Sequence, residues 1–221
     1  MPLSEPAAST GYDWYFDFIS PFAYLQWMRV RRDHPALTLR PRPVLFAGLL
    51  KHWGQLGPAE LPTKRQHTYR LVQWQAQQLK IPLRFPPAHP FNPLPALRLA
   101  LAAADRERAV DLIFRHLWEH GLTGDSAEAL ANVGRELGID DVPAALARDD
   151  VKRALADNGA EAIARGVFGV PTLVIADQLF WGNDTTGLAL QFLDNPALFD
   201  TPDMRRIDAL PIGLQRPGAK A

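Results

Sequence analysis

The sequence predicts an α/β fold with strands at its two ends and helices in the middle. Short runs rich in aromatic or β-branched residues, typical of strands, occur at "DWYFDFI" (13–19) and "VPTLVIA" (170–176). Between about 47 and 165, apolar residues recur mostly at helical spacing and few strand patterns occur. We therefore expect both ends to form one sheet, with the helical block inserted between them.

The N-terminal end predicts a β-α-β unit. Ser20 and Pro21 are favoured first residues of a helix, and Pro35 closes that helix. The segment "LTLRPRPVLF" (37–46) alternates apolar and basic residues and predicts a second strand. Its two prolines lack a backbone donor, so the strand should reach an edge of the sheet or end early.

The C-terminal end predicts a β-β-α unit. "QLFWG" (178–182) follows strand 170–176 after one residue, which predicts a tight hairpin. "DTTGLALQFL" (184–193) predicts a capped final helix. The whole order is that of a thioredoxin-like fold with a large all-helical insertion.

The predicted boundaries follow from this order. The discontinuous thioredoxin-like domain takes 12–46 and 166–194, the helical insertion domain takes 47–165, and a Pro-containing C-terminal tail on the surface takes 195–221. Within the insertion, "SAEALANVGRELG" (126–138) predicts a helix with a serine cap and a closing glycine. Residues 1–11 are small and polar, and predict a loose arm.

Composition excludes several classes of function. Lys plus Arg and Asp plus Glu number 24 each, so zero net charge gives no electrostatic sign of nucleic acid or an anionic membrane. The absence of cysteine excludes disulfides, thiolate metal sites and cysteine nucleophiles, so any thiol chemistry must use a thiol from a ligand. The first residues lack a signal-peptide pattern, and we expect a cytoplasmic protein.

Ser20 admits two interpretations. It is a favoured N-cap residue, and capping alone explains it. It also stands where a strand passes into a helix, and ligands gather outside the carboxyl ends of strands. A hydroxyl donating to a ligand thiolate there would favour the charged form and lower the pKa of the thiol.

Two later segments also admit two interpretations each. The Val170-Pro171 bond either simply begins a strand or is a cis bond that presents the Val170 backbone to an extended peptide. Asp184 and Thr185 either cap the last helix or bind a ligand, with Asp184 on an ammonium and nearby N–H groups on a carboxylate.

Three other features have mainly structural explanations. "HLWEH" (116–120) matches an inverted zinc-protease pattern, but a charged amphipathic helix explains it as a solvated or packed pair. Lys51 and Asn92 follow apolar or Pro-rich stretches and are polar residues that could face a cleft. Ordinary surface exposure also explains both.

Five segments together resemble the 2-hydroxychromene-2-carboxylate isomerase family, the glutathione-dependent branch of the DsbA-like thioredoxin superfamily that also holds the kappa-class glutathione transferases. They are "DWYFDFISPFAYL", "RPVLFAGLLKHWGQ", "RFPPAHPFNPLPALR", "GVFGVPTLVI" and "LFWGNDTT", which occur in the family's order from about residue 12 to 194. The resemblance implies a thioredoxin fold with a helical insertion, bound glutathione, a small aromatic substrate and a homodimer.

The resemblance also implies roles for individual residues. Ser20 matches the catalytic serine that replaces the redox cysteine, while Lys51 and Asn92 match the lysine and asparagine that face the aromatic substrate. The matched glutathione-binding positions are Ser20, Gln55, Val170, Pro171, Asn183, Asp184 and Thr185. Of these, Val170 would pair with the peptide part of glutathione, and Asp184 with Thr185 would hold its γ-glutamyl end.

The implied reaction interconverts 2-hydroxychromene-2-carboxylate and trans-o-hydroxybenzylidenepyruvate type compounds in aromatic degradation, with Ser20 stabilising the glutathione thiolate. It is redox-neutral, which agrees with a chain that lacks cysteine. Two alternatives remain: a kappa-like transferase that conjugates glutathione to electrophiles, and a thioredoxin-fold binding module without turnover.

Overall fold

The structure, a computed structural model, describes residues 11–214. Most of the predicted N-terminal arm and the last part of the predicted tail lie outside the described residues. The strands are β1 (Tyr12–Phe16), β2 (Leu39–Pro43), β3 (Thr172–Ile175) and β4 (Gln178–Trp181). The helices are α1 (Pro21–Asp33), α2 (Phe46–Trp53), α3 (Pro62–Leu79), α4 (Leu94–Ala102), α5 (Arg106–Phe114), α6 (Ala131–Glu136), α7 (Val142–Ala147), α8 (Asp149–Ala164), α9 (Thr186–Asp194) and α10 (Pro202–Asp208).

The four strands form one mixed sheet in the order β2-β1-β3-β4. β1 pairs in parallel with β2 and antiparallel with β3, and β3 pairs antiparallel with β4. The two ends of the chain therefore share one sheet, as the sequence predicts. The two prolines of β2 lie on an edge strand, where a missing N–H donor is tolerated.

Several predicted bounds are wrong by a few residues. β1 ends at Phe16 rather than at 19, because Asp17 turns the chain and its carbonyl accepts the N–H of Ser20 at 3.0 Å. The helix predicted from Ser126 begins only at Ala131. The hydroxyl of Ser126 accepts the N–H of Ala129, which caps a turn before that helix instead.

The C-terminal elements also differ from the prediction. α9 begins at Thr186 after a 3₁₀ turn over Asn183–Thr185, so Asp184 does not cap it. α9 is not the final helix either, because α10 follows within the predicted tail. Thr201 accepts the N–H of Met204 and Pro202 occupies the first turn of α10, which is a common way to begin a helix.

The inserted helices and the sheet share one hydrophobic core. The Trp14 ring stacks on Phe16 at 4.5 Å, and Phe114, at the end of α5, lies 5.6 Å from Phe16. Phe18 packs edge-on against Phe114 at 4.7 Å. The aromatic residues that end β1 are therefore buried against the insertion rather than beneath a separate layer.

The other face of the sheet packs against α2 and α8. Its core is smaller and contains Tyr15, Val44, Leu49, Ala162, Val167, Val170 and Val174. At one end of this face the buried carboxylate of Asp13 accepts hydrogen bonds from Arg40, Arg42 and Arg165. These bonds join β1, β2 and the end of α8.

Within residues 11–214, none of the helices is both apolar enough and long enough to cross a membrane.

Candidate active site at the start of helix α1

Ser20 lies where β1 has ended and α1 begins. Its side chain is 7% exposed, and its Oγ accepts the N–H of Ala23 at 3.2 Å, so the predicted N-cap is confirmed. The same hydroxyl lies 3.5 Å from the carbonyl oxygen of Val170, which precedes β3. The hydroxyl therefore stands at a helix N-terminus, where the helix dipole favours a negative charge.

Three donors from outside this turn hold the turn that leads to Ser20. The indole Nε1 of Trp118 donates to the carbonyl of Phe18 at 2.8 Å. The imidazole Nε2 of His89 lies 2.8 Å from the carbonyl of Ile19. The N–H of Phe46, the first residue of α2, donates to the carboxylate of Asp17 at 2.8 Å.

Two titratable groups lie in or against this turn: Asp17 is buried and His89 is half-buried. Burial raises the pKa of the Asp17 carboxyl to about 7, although N–H donors from Phe46 and Ile19 act in the opposite direction. Burial also lowers the pKa of His89 below its usual range. His89 is therefore neutral at pH 7, and its Nε2 carries the hydrogen, because the facing carbonyl can only accept.

The Val170-Pro171 bond is cis, which answers the question that the sequence left open. The described residues provide no acceptor for the Val170 N–H, and the carbonyl of Val170 has only the long contact with Ser20. The next carbonyl, that of Pro171, accepts the N–H of Gly182 at 2.8 Å. This bond connects the strand entry with the turn that follows β4.

That turn, residues 182–185, presents two polar side chains with different surroundings. Asp184 is exposed and makes no capping hydrogen bond. Asn183 is 4% exposed; its Nδ2 donates to Gln75, but its Oδ1 has no donor among residues 11–214. Thr185 directs its hydroxyl to the carbonyl of Gly182 at 3.0 Å.

The structure does not join the remaining candidates to Ser20. Lys51, in the last turn of α2, and Gln55, just beyond it, are exposed. Asn92 is also exposed, and its Oδ1 accepts the N–H of Leu94 at the start of α4. Hydrogen bonds thus connect Ser20, Val170–Pro171 and the 182–185 turn, whereas Lys51, Gln55 and Asn92 lie outside that network.

The zinc-protease pattern has another structural explanation. His116 lies in a π-helical turn, Arg115–Glu119, that continues α5, and its Nε2 is 2.7 Å from the carbonyl of Thr123. In the part of the chain that the structure describes, no three His, Asp or Glu residues are grouped to hold a metal ion. A surface cavity of about 860 Å³ is lined by residues of β2 and the start of α5, and Ser20 does not line it.

Sequence reasoning missed the residues that hold the site together. Asp17 is an acid within an aromatic run, Gln26 is a lone amide on a buried helix, and His89 stands within a Pro-rich segment. Each is polar in an apolar or structured setting, which is the signal that could have found it. Chemically, the arrangement offers a hydroxyl at a helix N-terminus, a free main-chain donor and an unsatisfied amide acceptor.

Comparison with known proteins identifies the family to which this fold belongs. Residues 13–193 match the family described as the DsbA-like thioredoxin domain. A 2-hydroxychromene-2-carboxylate isomerase of Pseudomonas putida is 32% identical over 187 residues, which cover 78% of this chain and 88% of the relative. The glutathione S-transferase kappa 2 of Caenorhabditis elegans is 28% identical over 204 residues, covering 82% of this chain and 91% of the relative.

A solved structure of a 2-hydroxychromene-2-carboxylate isomerase superposes with a TM-score of 0.74 at 25% identity, covering 90% of this chain and 99% of that protein. The fold is shared with that solved structure, and both curated relatives match this sequence over most of their own length. The chain belongs to the DsbA-like thioredoxin family, in the branch of 2-hydroxychromene-2-carboxylate isomerases and their kappa-class relatives.

Proposed function

We propose that the protein is a glutathione-dependent isomerase that interconverts a 2-hydroxychromene-2-carboxylate and its trans-o-hydroxybenzylidenepyruvate isomer. The observation that carries the proposal is the position of Ser20, a hydroxyl at a helix N-terminus beside the Val170 carbonyl, in a chain without cysteine. Relatives named as this isomerase support the reaction class.

The described residues fit glutathione. A tripeptide needs main-chain partners and a place for its charged γ-glutamyl end. Val170 offers an N–H without a partner among the described residues, and the orphaned Oδ1 of Asn183 can accept from an ammonium beside the exposed Asp184 carboxylate. In the proposal, Thr185 adds a hydroxyl and Gln55 approaches from the end of α2.

Ser20 has the central chemical role. When bound, glutathione supplies a thiolate that adds reversibly to a conjugated double bond and leaves that bond free to rotate. Ser20 donates its hydroxyl hydrogen to the sulfur, and the N-terminus of α1 favours the negative charge. Both effects favour the ionised thiol at neutral pH.

Two exposed residues are proposed to contact the aromatic substrate. Lys51 would bind its carboxylate or the negative charge that develops on it, and Asn92 would orient the phenol or pyruvate oxygens. As in the family that the sequence resembles, we expect a homodimer.

Calorimetric titration of glutathione into the protein tests the proposal first. We expect saturable binding at one site per chain, followed by glutathione-dependent isomerisation of 2-hydroxychromene-2-carboxylate. No binding at millimolar glutathione would overturn the proposal. Binding without turnover of any substrate would favour a binding module.

A second candidate is conjugation of glutathione to electrophiles, which the kappa 2 relative favours. The two activities use the same thiolate but differ in the product. Isomerisation returns free glutathione, whereas conjugation consumes one glutathione for each product. Measuring free thiol during turnover therefore separates them.

A further inference from the structure

The side chain of Gln26, on the helix that Ser20 begins, contacts the segment that carries the γ-glutamyl end of the proposed glutathione site. Gln26 is on α1, two turns beyond Ser20, and is 2% exposed. Burying an amide without partners is costly, so its hydrogen bonds identify what it holds.

All of the amide's hydrogen-bonding groups are in use. Its Oε1 accepts the indole N–H of Trp14 on β1 at 2.7 Å. Its Nε2 donates to the carbonyl of Gly182 at 3.1 Å and to the hydroxyl of Thr186 at 3.0 Å. The indole can only donate and the carbonyl can only accept, so the orientation of the amide is unambiguous.

The network continues into the turn that carries Asp184. The hydroxyl of Thr186 has one hydrogen, which it gives to the carbonyl of Asn183 at 2.7 Å, so it must accept from Gln26. Gln26 therefore holds the 182–186 segment at both its first and its last residue. The segment is thus fixed directly to the helix that Ser20 begins.

We infer that Gln26 is a positioning residue that sets the distance between the sulfur-binding and γ-glutamyl-binding ends of the site. The inference rests on the proposed function, in which Ser20 contacts the sulfur and the 183–185 turn contacts the γ-glutamyl group. Gln26 itself touches neither part of the ligand. Its loss should release the turn while leaving Ser20 and Val170 in place.

The test compares two ligands in two variants. Glutathione reaches both ends of the site, whereas the dipeptide Cys-Gly lacks the γ-glutamyl group. Gln26→Leu removes all three hydrogen bonds of the amide. Thr186→Val, a change of similar shape, keeps the bond from Gln26 to Gly182 and removes the two bonds of the Thr186 hydroxyl, with Gln26 and with the Asn183 carbonyl. Gln78→Leu is the matched control, because Gln78 is exposed on α3.

We expect both variants to raise the dissociation constant and the KM for glutathione about tenfold, which corresponds to losing one or two net hydrogen bonds. Binding of Cys-Gly and kcat at saturating glutathione should change less than about twofold. The Gln78→Leu control should resemble the wild type with both ligands. Thr186→Val keeps the test decisive if Gln26→Leu does not fold.

Two results would overturn the inference. Equal weakening of glutathione and Cys-Gly would mean that Gln26 has only a general structural role, and unchanged glutathione binding would mean that it has no role in the site. These two results are informative only if the wild-type protein binds glutathione. A wild type that binds neither ligand would instead overturn the proposed function, and the inference with it.

Discussion

The imidazole Nε2 of His89 lies 2.8 Å from the carbonyl oxygen of Ile19, the residue that precedes Ser20. His89 comes from the Pro-rich segment between α3 and α4, so the insertion supplies a donor to the turn that begins α1. Its Nδ1 lies 2.6 Å from the hydroxyl of Tyr69, which fixes the ring from the other side. The position of the Ser20 hydroxyl thus depends on a residue 70 positions away from its neighbour Ile19.

His89→Phe should lower both activity and stability, since phenylalanine fits among the surrounding rings but leaves the Ile19 carbonyl without its donor. We expect about a tenfold fall in kcat and a loss of roughly 1–2 kcal/mol in the free energy of unfolding. Steady-state kinetics and urea unfolding measure the two effects. His120→Phe, at an exposed histidine, is the control; equal effects in both variants would contradict the assigned role of His89.

Ser20→Gly and Ser20→Ala should separate the capping role of Ser20 from its proposed chemical role. Glycine replaces a serine cap at a cost of a few tenths of a kcal/mol, whereas alanine costs about 1 kcal/mol. Both variants lack the hydroxyl, so both should raise the pKa of the bound glutathione thiol by a similar amount. Thiolate absorbance against pH gives the pKa and thermal unfolding gives the stability. A thiol pKa that rises only in the alanine variant would refute the hydroxyl's role.

The buried Asp17 predicts an unusual dependence of stability on pH. Its folded pKa of about 7 is above the unfolded value near 4, so the folded state holds the proton more tightly. The contribution of Asp17 to the free energy of unfolding is therefore largest at low pH. It falls as the pH rises from about 4 through 7 and is constant at higher pH. The fall is on the order of 4 kcal/mol.

Asp17→Asn isolates that contribution. The amide keeps one acceptor for the Phe46 or Ile19 N–H groups but cannot ionise, so the variant should lack this slope. We expect it to be less stable than the wild type near pH 5 and to approach or exceed it at pH 8. Guanidinium unfolding at both values measures the difference. A stability gap that does not depend on pH would contradict the raised pKa.

Asp13 predicts the opposite behaviour. Burial alone would raise the pKa of Asp13, but hydrogen bonds from Arg40, Arg42 and Arg165 outweigh burial and hold the pKa well below its usual range. The stabilisation is therefore fully present above about pH 4 and is lost as pH falls below that value. Acid should weaken the junction of β1, β2 and α8 first.

Asp13→Asn should cost about 2–4 kcal/mol at pH 7, because three guanidinium groups lose their shared carboxylate. The same substitution should matter less near pH 3. Asp149→Asn is the control, since Asp149 forms only an exposed ion pair with Lys152. If urea unfolding showed the same loss of stability in Asp13→Asn and Asp149→Asn, the assigned role of Asp13 would be wrong. The same loss for Asp13→Asn at pH 7 and pH 3 would also contradict it.

The sequence predicted those features of the fold that depend on local pattern. The aromatic run before Ser20 and the hairpin of β3 and β4 each carry their own signal, and both are present. α2 lies in the block predicted to be helical but was not recognised as a separate element, and α10 was missed, since each is short and its apolar pattern spans only two turns.

The candidate site was predictable in part. Ser20, Val170 and the 182–185 turn were chosen from the sequence, and hydrogen bonds connect them. The donors that hold them were not predictable, because His89 and Trp118 reach the turn from 70 and 100 positions away. For Asp184, the local pattern predicted a role that the structure does not show. The pattern suits a helix cap, but the 3₁₀ turn places Asp184 outside the helix.

The contact between Ser20 and Val170 joins residues that are 150 positions apart in the chain. During synthesis on the ribosome, Ser20 emerges long before its partner, and β1 lacks its β3 neighbour until the chain has been made through residue 172. A chain that stops before β3 therefore lacks the Val170 part of the proposed site and leaves an aromatic strand edge unpaired, a state that favours aggregation. The order of translation places completion of the proposed site after synthesis of the whole helical insertion.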